Sequence, residues 1–329
     1  MNERHLHESV PDALDGERVD RVVALVADLS RREVAALIGT DAVLLNGRRP
    51  AKGSQRVAAG DRLEITHAVG DDRPRADATI ALPVVYADDT VLIVDKPAGM
   101  VVHPGAGNPD GTLVAALLAR YPAVADVGDP ARPGIVHRLD KGTSGVLMVA
   151  LTDEAHADLS RQLRARTVER RYRTLVAGTV EADSGTIDAP LGRSPANPAA
   201  RAVVADGKSA RTTYRVVRRG ELPGVGPVTE LTCRLETGRT HQIRAHLQAI
   251  GHPVVGDLVY GGPELRAPAP SLDRPFLHAE RLGIRHPGTG EAMAWESPLP
   301  SDLVAVAAAV TTRSAPVPGG QAGESGPST

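Results

Sequence analysis

The sequence predicts an α+β protein in two parts, a small α/β unit near the N-terminus and a larger mixed unit behind it. Three observations carry this. Between Arg18 and His67, apolar positions at helical spacing give way to two short β-type runs. From Pro83 to about Leu303, continuous apolar runs alternate with amphipathic stretches. Between the two lies GDDRPRADAT (70–79), which is charged, contains proline and has no apolar period, as a linker does. A length of 329 residues suits two domains.

Residues 1–15 are polar and are expected to be flexible. Val19, Val22, Val23 and Val26 then mark one helical face. Ser30 is placed to cap a second helix through Ile38, with Glu33 as its capping-box partner. Ala42–Leu45 reads as a strand, Asn46-Gly47 as a tight turn, and Asp61–Ile65 as a second strand. Arg31, Arg32, Arg48, Arg49 and Lys52 give residues 16–69 a basic surface that suits RNA. After a linker at 70–82, VLIVDK (91–96) is a buried strand and TLVAALLARY (112–121) a helix. GVLMVAL (145–151) is a strand leading to a helix at 153–166. YRTLVAG (172–178) and VTELTCRLETG (228–238) are strands, the second followed by a helix near 241–250. The unit is expected to end near 305, and the Pro/Gly/Ser-rich remainder, 306–329, to be disordered.

Composition narrows the function. The hydrophobic fraction of 42% is enough for a sizeable core. With one Phe, one Trp and five Tyr, any base-stacking duty must fall on a few named residues. A net charge of −2 excludes a uniformly basic, histone-like protein but leaves room for a basic stripe balanced elsewhere. The single cysteine, Cys233, can form neither an internal disulfide nor a cysteine zinc site. No run approaches the roughly 20 apolar residues of a membrane span, and MNERHLHESVPD has no apolar signal core, so the chain is expected to be cytoplasmic. GxxxxGK[ST], GxSxG and a strand-linked GxGxxG are missing, so neither ATP nor a dinucleotide is indicated.

Three segments can carry chemistry. In GIVHRLDKGTSG (134–145), Asp140 sits in a turn between apolar strands, with His137, Arg138 and Lys141 around it. Cationic neighbours favour the ionised carboxylate that a nucleophile or base requires. A salt-bridged surface turn is the alternative reading. In ETGRTHQIRAHL (236–247), Arg239, His241, Arg244 and His246 stand at the start of a helix. The spacing of His241 and His246 does not suit a helical metal site, and handling an anion fits better than binding a metal. A solvated basic face is the alternative there. In RRYRTLVAG (170–178), Tyr172 stands among Arg170, Arg171 and Arg173, a pattern able to stack a base and hold phosphates.

Taken together, these segments resemble the RluA-type RNA pseudouridine synthases. GIVHRLDKGTSGVLMVA is similar to the family signature, with Asp140 on its catalytic aspartate. VLIVDKPAGMVVHPG (91–105), RRYRTLVAG, LETGRTHQIRAHL and GHPVVGDLVYG (251–261) resemble its other motifs, in the family's order, over roughly residues 83–300. Residues 18–67 resemble the α-L type of RNA-binding domain of a small-subunit ribosomal protein, with Asp41 where many members carry Gly.

The resemblance implies a small RNA-binding N-terminal domain and, over 83–305, a mixed, mainly antiparallel-sheet pseudouridine synthase catalytic domain. Asp140 would act as nucleophile or as base at the sugar, and Arg244 would pair with it. Tyr172 would stack on uracil, and Arg138 would fill the gap left by a flipped base. Ile243 and Leu175 would line or support the pocket, His137 and His241 would be structural or contact RNA, and Lys96-Pro97 and His103-Pro104 would shape neighbouring loops. Arg170 and Arg239 would join the N-terminal basic residues in holding RNA. Isomerisation adds and removes nothing, so no cofactor and no metal are implied. Large-subunit ribosomal RNA is the implied substrate, with transfer RNA second, and a monomer the default state. A non-catalytic RNA binder and a glycosylase that releases uracil are the rivals.

Overall fold

The computed structural model describes all residues except 1, 28, 30, 70–73, 106, 107, 109, 198, 199, 263, 264, 266, 269, 270 and 313–329. The chain divides into two compact units, Met1–Asp72 and Arg73–Thr329.

In the first unit, β1 (Asn2–Ser9), β2 (Val43–Leu45) and β3 (Arg62–Val69) form an antiparallel sheet in the order β1-β3-β2. The polar N-terminal segment is therefore a strand along its pairing with β3, from Asn2 opposite Val69 to Ser9 opposite Arg62, and not the loose end its polarity suggests. An edge strand gains ladder hydrogen bonds whatever its side chains, which is why composition misreads it. Helices α1 (Val19–Ala27) and α2 (Arg31–Leu37) lie at the expected places. The buried face of α1 is Val19, Val22, Val23 and Ala27, with Val26 half-buried. With Val34, Val43, Leu63 and Ile65 it makes a separate core. Ser30, the expected cap of α2, lies outside the described residues, as do the side chains of Arg31 and Arg32. Asn46 and Gly47 take the left-handed conformation at φ 53° and 72°. Their turn closes on Arg48 and does not join β2 directly to β3. Asn46 is instead tied to the start of β3, donating to Asp61 at 2.8 Å and accepting from the Arg62 amide at 2.8 Å.

The second unit contains β4 (Val84–Ala87), β5 (Val91–Lys96), α3 (Leu113–Arg120), β6 (Ser144–Ala150), α4 (Asp153–Arg164) and β7 (Glu169–Ala177). Next come β8 (Ser184–Asp188), β9 (Leu191–Arg193), β10 (Arg201–Val203), β11 (Arg211–Leu222), β12 (Gly226–Leu235) and α5 (Gln242–Ala249). The last elements are β13 (Ala267–Pro268), β14 (Ser271–Leu272), β15 (Leu277–Arg285), β16 (Ala292–Glu296), α6 (Ser301–Ala309) and β17 (Thr311–Thr312). One sheet runs β17-β11-β12-β7-β15-β6-β5-β4, with β8 added on β11 and β16 on β15. All its pairings are antiparallel except the short parallel contact of β15 with β6. The mixed, mainly antiparallel class is as expected.

Helices α3 and α4 are capped at their N-termini. The Thr112 hydroxyl accepts from the Ala115 amide at 3.3 Å and Thr152 from Ala155 at 3.1 Å, each supplying the first turn with an acceptor it lacks. Strand β6 is buried along its whole length, as its unbroken apolar run predicts. At the parallel contact, Gly145 (φ 114°) lies so close to β15 that a Cβ would stand 2.2 Å from the Ala279 carbonyl oxygen. That tight junction fixes the loop entering β6, which carries Asp140, at the middle of the sheet.

Both expected boundaries shift. Within the expected linker, the Asp77 amide donates to the Ala115 carbonyl at 2.9 Å and Leu82 is buried, so this stretch packs on the second unit. At the other end α6 continues to Ala309, and Thr311 and Thr312 pair with Glu221 and Gly220. The rest of the expected disordered tail, 313–329, lies outside the described residues.

Candidate active site

The loop between Ile135 and Thr143 is held from several sides. The Met148 amide donates to His137 Nε2 at 3.1 Å, which makes that imidazole an acceptor. Desolvation holds its pKa down to about 3, so it stays neutral. The Gly99 amide donates to the Lys141 carbonyl at 2.7 Å, and Lys141 Nζ donates to Asn108 at 2.8 Å. Arg274, itself paired with Asp302, donates to the Gly142 carbonyl at 3.2 Å. The Asp140 side chain ends up 16% exposed, at the floor of a cleft of about 500 Å³. Lys96, next to this loop, is fully buried and donates to the Pro97 and Met100 carbonyls at 2.9 and 2.8 Å. Burial drives its pKa down to about 7, with Asp140 pulling upward and Arg274 downward.

Helix α5 supplies the opposing cation. Arg244 Nη1 stands 3.5 Å from Asp140 Oδ2, at the outer limit of a hydrogen bond. Its short bonds go elsewhere: Nε and Nη2 donate to the two carboxylate oxygens of Asp257 at 2.6 and 2.9 Å. Burial works against the Arg244 charge, but the hydrogen bonds and charge of Asp257 outweigh it and raise the pKa. Asp257 is wholly buried and also accepts from the Val259 and Tyr260 amides at 3.0 and 3.3 Å. The Tyr260 ring lies 5.0 Å from the guanidinium, and its hydroxyl is 3.1 Å from His241 Nδ1. Arg244 is thus preset by Asp257 and Tyr260, leaving one N–H edge for Asp140. The expected pairing of Arg244 with Asp140 is present at 3.5 Å, and the shorter contacts of Arg244 are to Asp257.

Tyr172 is buried on β7 and lines the same cleft. Desolvation pushes its pKa up to about 12, Arg170 acting downward and Asp140 upward. The neighbouring arginines divide by strand alternation. Arg171 pairs with Glu280 at 3.0 Å, and Arg173 with the buried Glu230, so neither is free to hold a phosphate. Arg170 shares the face of Tyr172 and is only 6% exposed, a buried part of the cleft lining.

The remaining expected residues are placed as follows. Ile243 is buried in the cleft wall. Leu175 lies in the core and does not line the cleft; its carbonyl accepts from the Val255 amide at 2.9 Å, which helps fix the segment leading to Asp257. Arg138 and Arg239 are exposed at the rim, Arg138 Nη1 3.4 Å from His103 Nε2 and Arg239 Nε donating to the Ser209 carbonyl at 3.1 Å. In the first unit Arg48, Arg49 and Lys52 are exposed, and Arg49 pairs with Asp41. Asp257 and Tyr260 were not singled out from sequence; the only signal was their place in GHPVVGDLVYG. Among the described residues, no group of three or more His, Cys, Asp or Glu side chains is arranged to hold a metal. No helix of the described residues is long and apolar enough to cross a membrane.

The chain is matched among known proteins. The family model described as RNA pseudouridylate synthase matches residues 90–249. The ribosomal large subunit pseudouridine synthase D of Nitrosomonas europaea is 44% identical over 318 residues, covering 94% of this chain and 89% of that protein. The protein of the same name from Pseudomonas aeruginosa is 42% identical, covering 90% and 92%. The solved structure of human RNA pseudouridylate synthase domain containing 1 is 30% identical with a TM-score of 0.56, covering 73% of this chain and 91% of that one. The chain belongs to the RNA pseudouridine synthases, isomerases that convert uridine within RNA to pseudouridine. Within them it is a member of the RluA type.

Proposed function

We propose that this enzyme isomerises specific uridines of large-subunit ribosomal RNA and that Asp140 performs the chemistry. The observation that carries the reading of the site is the position of the Asp140 carboxylate at the cleft floor, 3.5 Å from Arg244 and facing the same cavity as Tyr172. The ribosomal substrate is supported by the names of the relatives from Nitrosomonas and Pseudomonas. A cleft of about 500 Å³ accommodates a single nucleotide. The target uridine must leave its stack to enter.

Asp140 either attacks C1′ or removes the C2′ proton. In both routes the N1–C1′ bond breaks, its electron pair stays on uracil, and the base turns. C5 then bonds to C1′ as the Asp140–C1′ bond breaks in the first route or the proton returns to C2′ in the second. Loss of the C5 proton and gain of a proton at N1 complete the isomerisation. Arg244, held by Asp257, aims the Asp140 carboxylate, and Tyr172 stacks on the base and is placed to help the C5 proton leave. Arg138, at the rim, occupies the gap in the RNA, and Arg239 holds the backbone there. Arg48, Arg49 and Lys52, with Arg31 and Arg32, engage RNA from the first unit.

The test incubates the protein and Asp140→Asn with RNA from a strain lacking the enzyme and maps pseudouridine by carbodiimide-primer extension. New stops with the wild type alone support the reading and identify the uridine. Substantial activity in Asp140→Asn refutes the role of Asp140. Release of free uracil would favour a glycosylase.

A further inference from the structure

Arg170 is a buried cation without a counter-ion. It is 6% exposed, and among the described residues no carboxylate lies within ion-pair distance of it. Its Nε has no hydrogen-bond partner, and Nη2 reaches only the Leu235 and Glu236 carbonyls, at 3.4 and 3.3 Å. Desolvation accordingly lowers its pKa, with Tyr172 opposing. Space is kept for it: a Cβ on Gly238 would stand 2.8 Å from Arg170 Nη1. An unpaired buried charge and an unmet buried donor both cost folding free energy. Elsewhere in this sheet the same residue type is paired, as Arg171, Arg173 and Arg218 are with Glu280 and Glu230.

Resting on the proposed function, we propose that Arg170 is a catalytic residue that donates to a carbonyl oxygen of uracil and stabilises the negative charge on the base when the N1–C1′ bond breaks. The electron pair left on N1 spreads by conjugation to O2 and O4, so a buried guanidinium lining the cleft meets the charge where it develops. Position separates this role from phosphate binding. Arg170 shares a strand face with Tyr172, the proposed stacking ring, and both line the cleft. The exposed arginines Arg138, Arg164, Arg166 and Arg239 stand at the rim, where a ribose-phosphate chain would pass. The base returns to neutrality when the C5–C1′ bond forms, and stays neutral as C5 loses a proton and N1 gains one. The interaction then weakens again, so it acts mainly on the transition state and the separated base.

The experiment compares full-length wild type, Arg170→Met and Arg170→Lys on the mapped substrate RNA transcribed with uridine or 5-fluorouridine. Single-turnover rates of base rearrangement, RNA Kd and melting temperature are measured. Arg170→Met is expected to lose about 100-fold in rate on uridine, the size of losing one charge-stabilising donor, with Kd changed by less than about threefold. On 5-fluorouridine the loss shrinks to about tenfold or less, because fluorine itself stabilises the departing base. Its melting temperature is unchanged or higher, since an unpaired buried charge has gone, and Arg170→Lys keeps part of the rate. A weakened Kd with an unchanged rate would make Arg170 a phosphate contact. Equal rate losses on both RNAs would make it a structural support. Either result overturns the proposal. A wild-type enzyme silent on every RNA would instead refute the proposed function.

Discussion

Asp257→Asn tests whether the preset arginine underlies both stability and activity. Asp257 is wholly buried, takes two short hydrogen bonds from Arg244 and accepts two backbone amides. Breaking a buried ion pair by removing one partner costs about 3–5 kcal/mol, because the other charge remains desolvated. Asparagine preserves the shape and one acceptor oxygen, which puts the expected loss near the lower end, about 3 kcal/mol. For a unit of this size that lowers the melting temperature by roughly 6–12 °C. The assay is urea unfolding followed through Trp295, the single tryptophan, which lies in the second unit on β16. The released guanidinium should turn toward Asp140, now 3.5 Å away, and the misaimed carboxylate should cost roughly 10- to 100-fold in turnover. Adding Arg244→Met removes the orphaned charge and should restore about 2 kcal/mol of stability while leaving activity low. If Asp257→Asn unfolds within about 1 kcal/mol of wild type, the pair is not the strut described here.

Two further outcomes follow from the same geometry. Tyr172→Phe should retain more activity than Tyr172→Leu if stacking is the main duty of the ring, and equal losses would move the duty to the hydroxyl. For Lys96, burial lowers the folded pKa to about 7 from an ordinary 10.5, so folding releases a proton between those values. Its destabilising charge is fully present below about pH 7 and disappears as pH rises toward 10.5. Wild type should therefore gain stability relative to Lys96→Met from pH 7 to 9.5, with a slope of at most about 1.4 kcal/mol per pH unit. A difference that stays flat with pH would show that Lys96 is not desolvated as described.

Much of this protein is readable from local pattern. The 3.6-residue valine period predicts α1, and the unbroken apolar runs predict β5 and β6, because burial selects composition along an element. Asp140, Tyr172 and Arg244 came forward as candidates through the resemblance of their segments to family motifs, while residue types alone left a salt-bridged turn and a solvated basic face open. Local pattern failed where pairing and charge compensation come from afar. The N-terminal strand β1 owes its form to β3, more than fifty residues later, and β11 and β15 mix polar and charged residues with apolar ones and were missed. Arg170 and Arg171 are neighbours of identical chemistry, yet strand alternation buries one unpaired in the cleft and ties the other to Glu280.

The sequence by itself determined the α+β class and brought forward the segment that carries Asp140, since both are written in residues close together along the chain. Only the tertiary structure decided which anion holds Arg244, which arginine lies bare beside Tyr172, and that Lys96 is sealed from water. Those are properties of the dielectric and of partners brought together from distant segments, and no local run of residues encodes them.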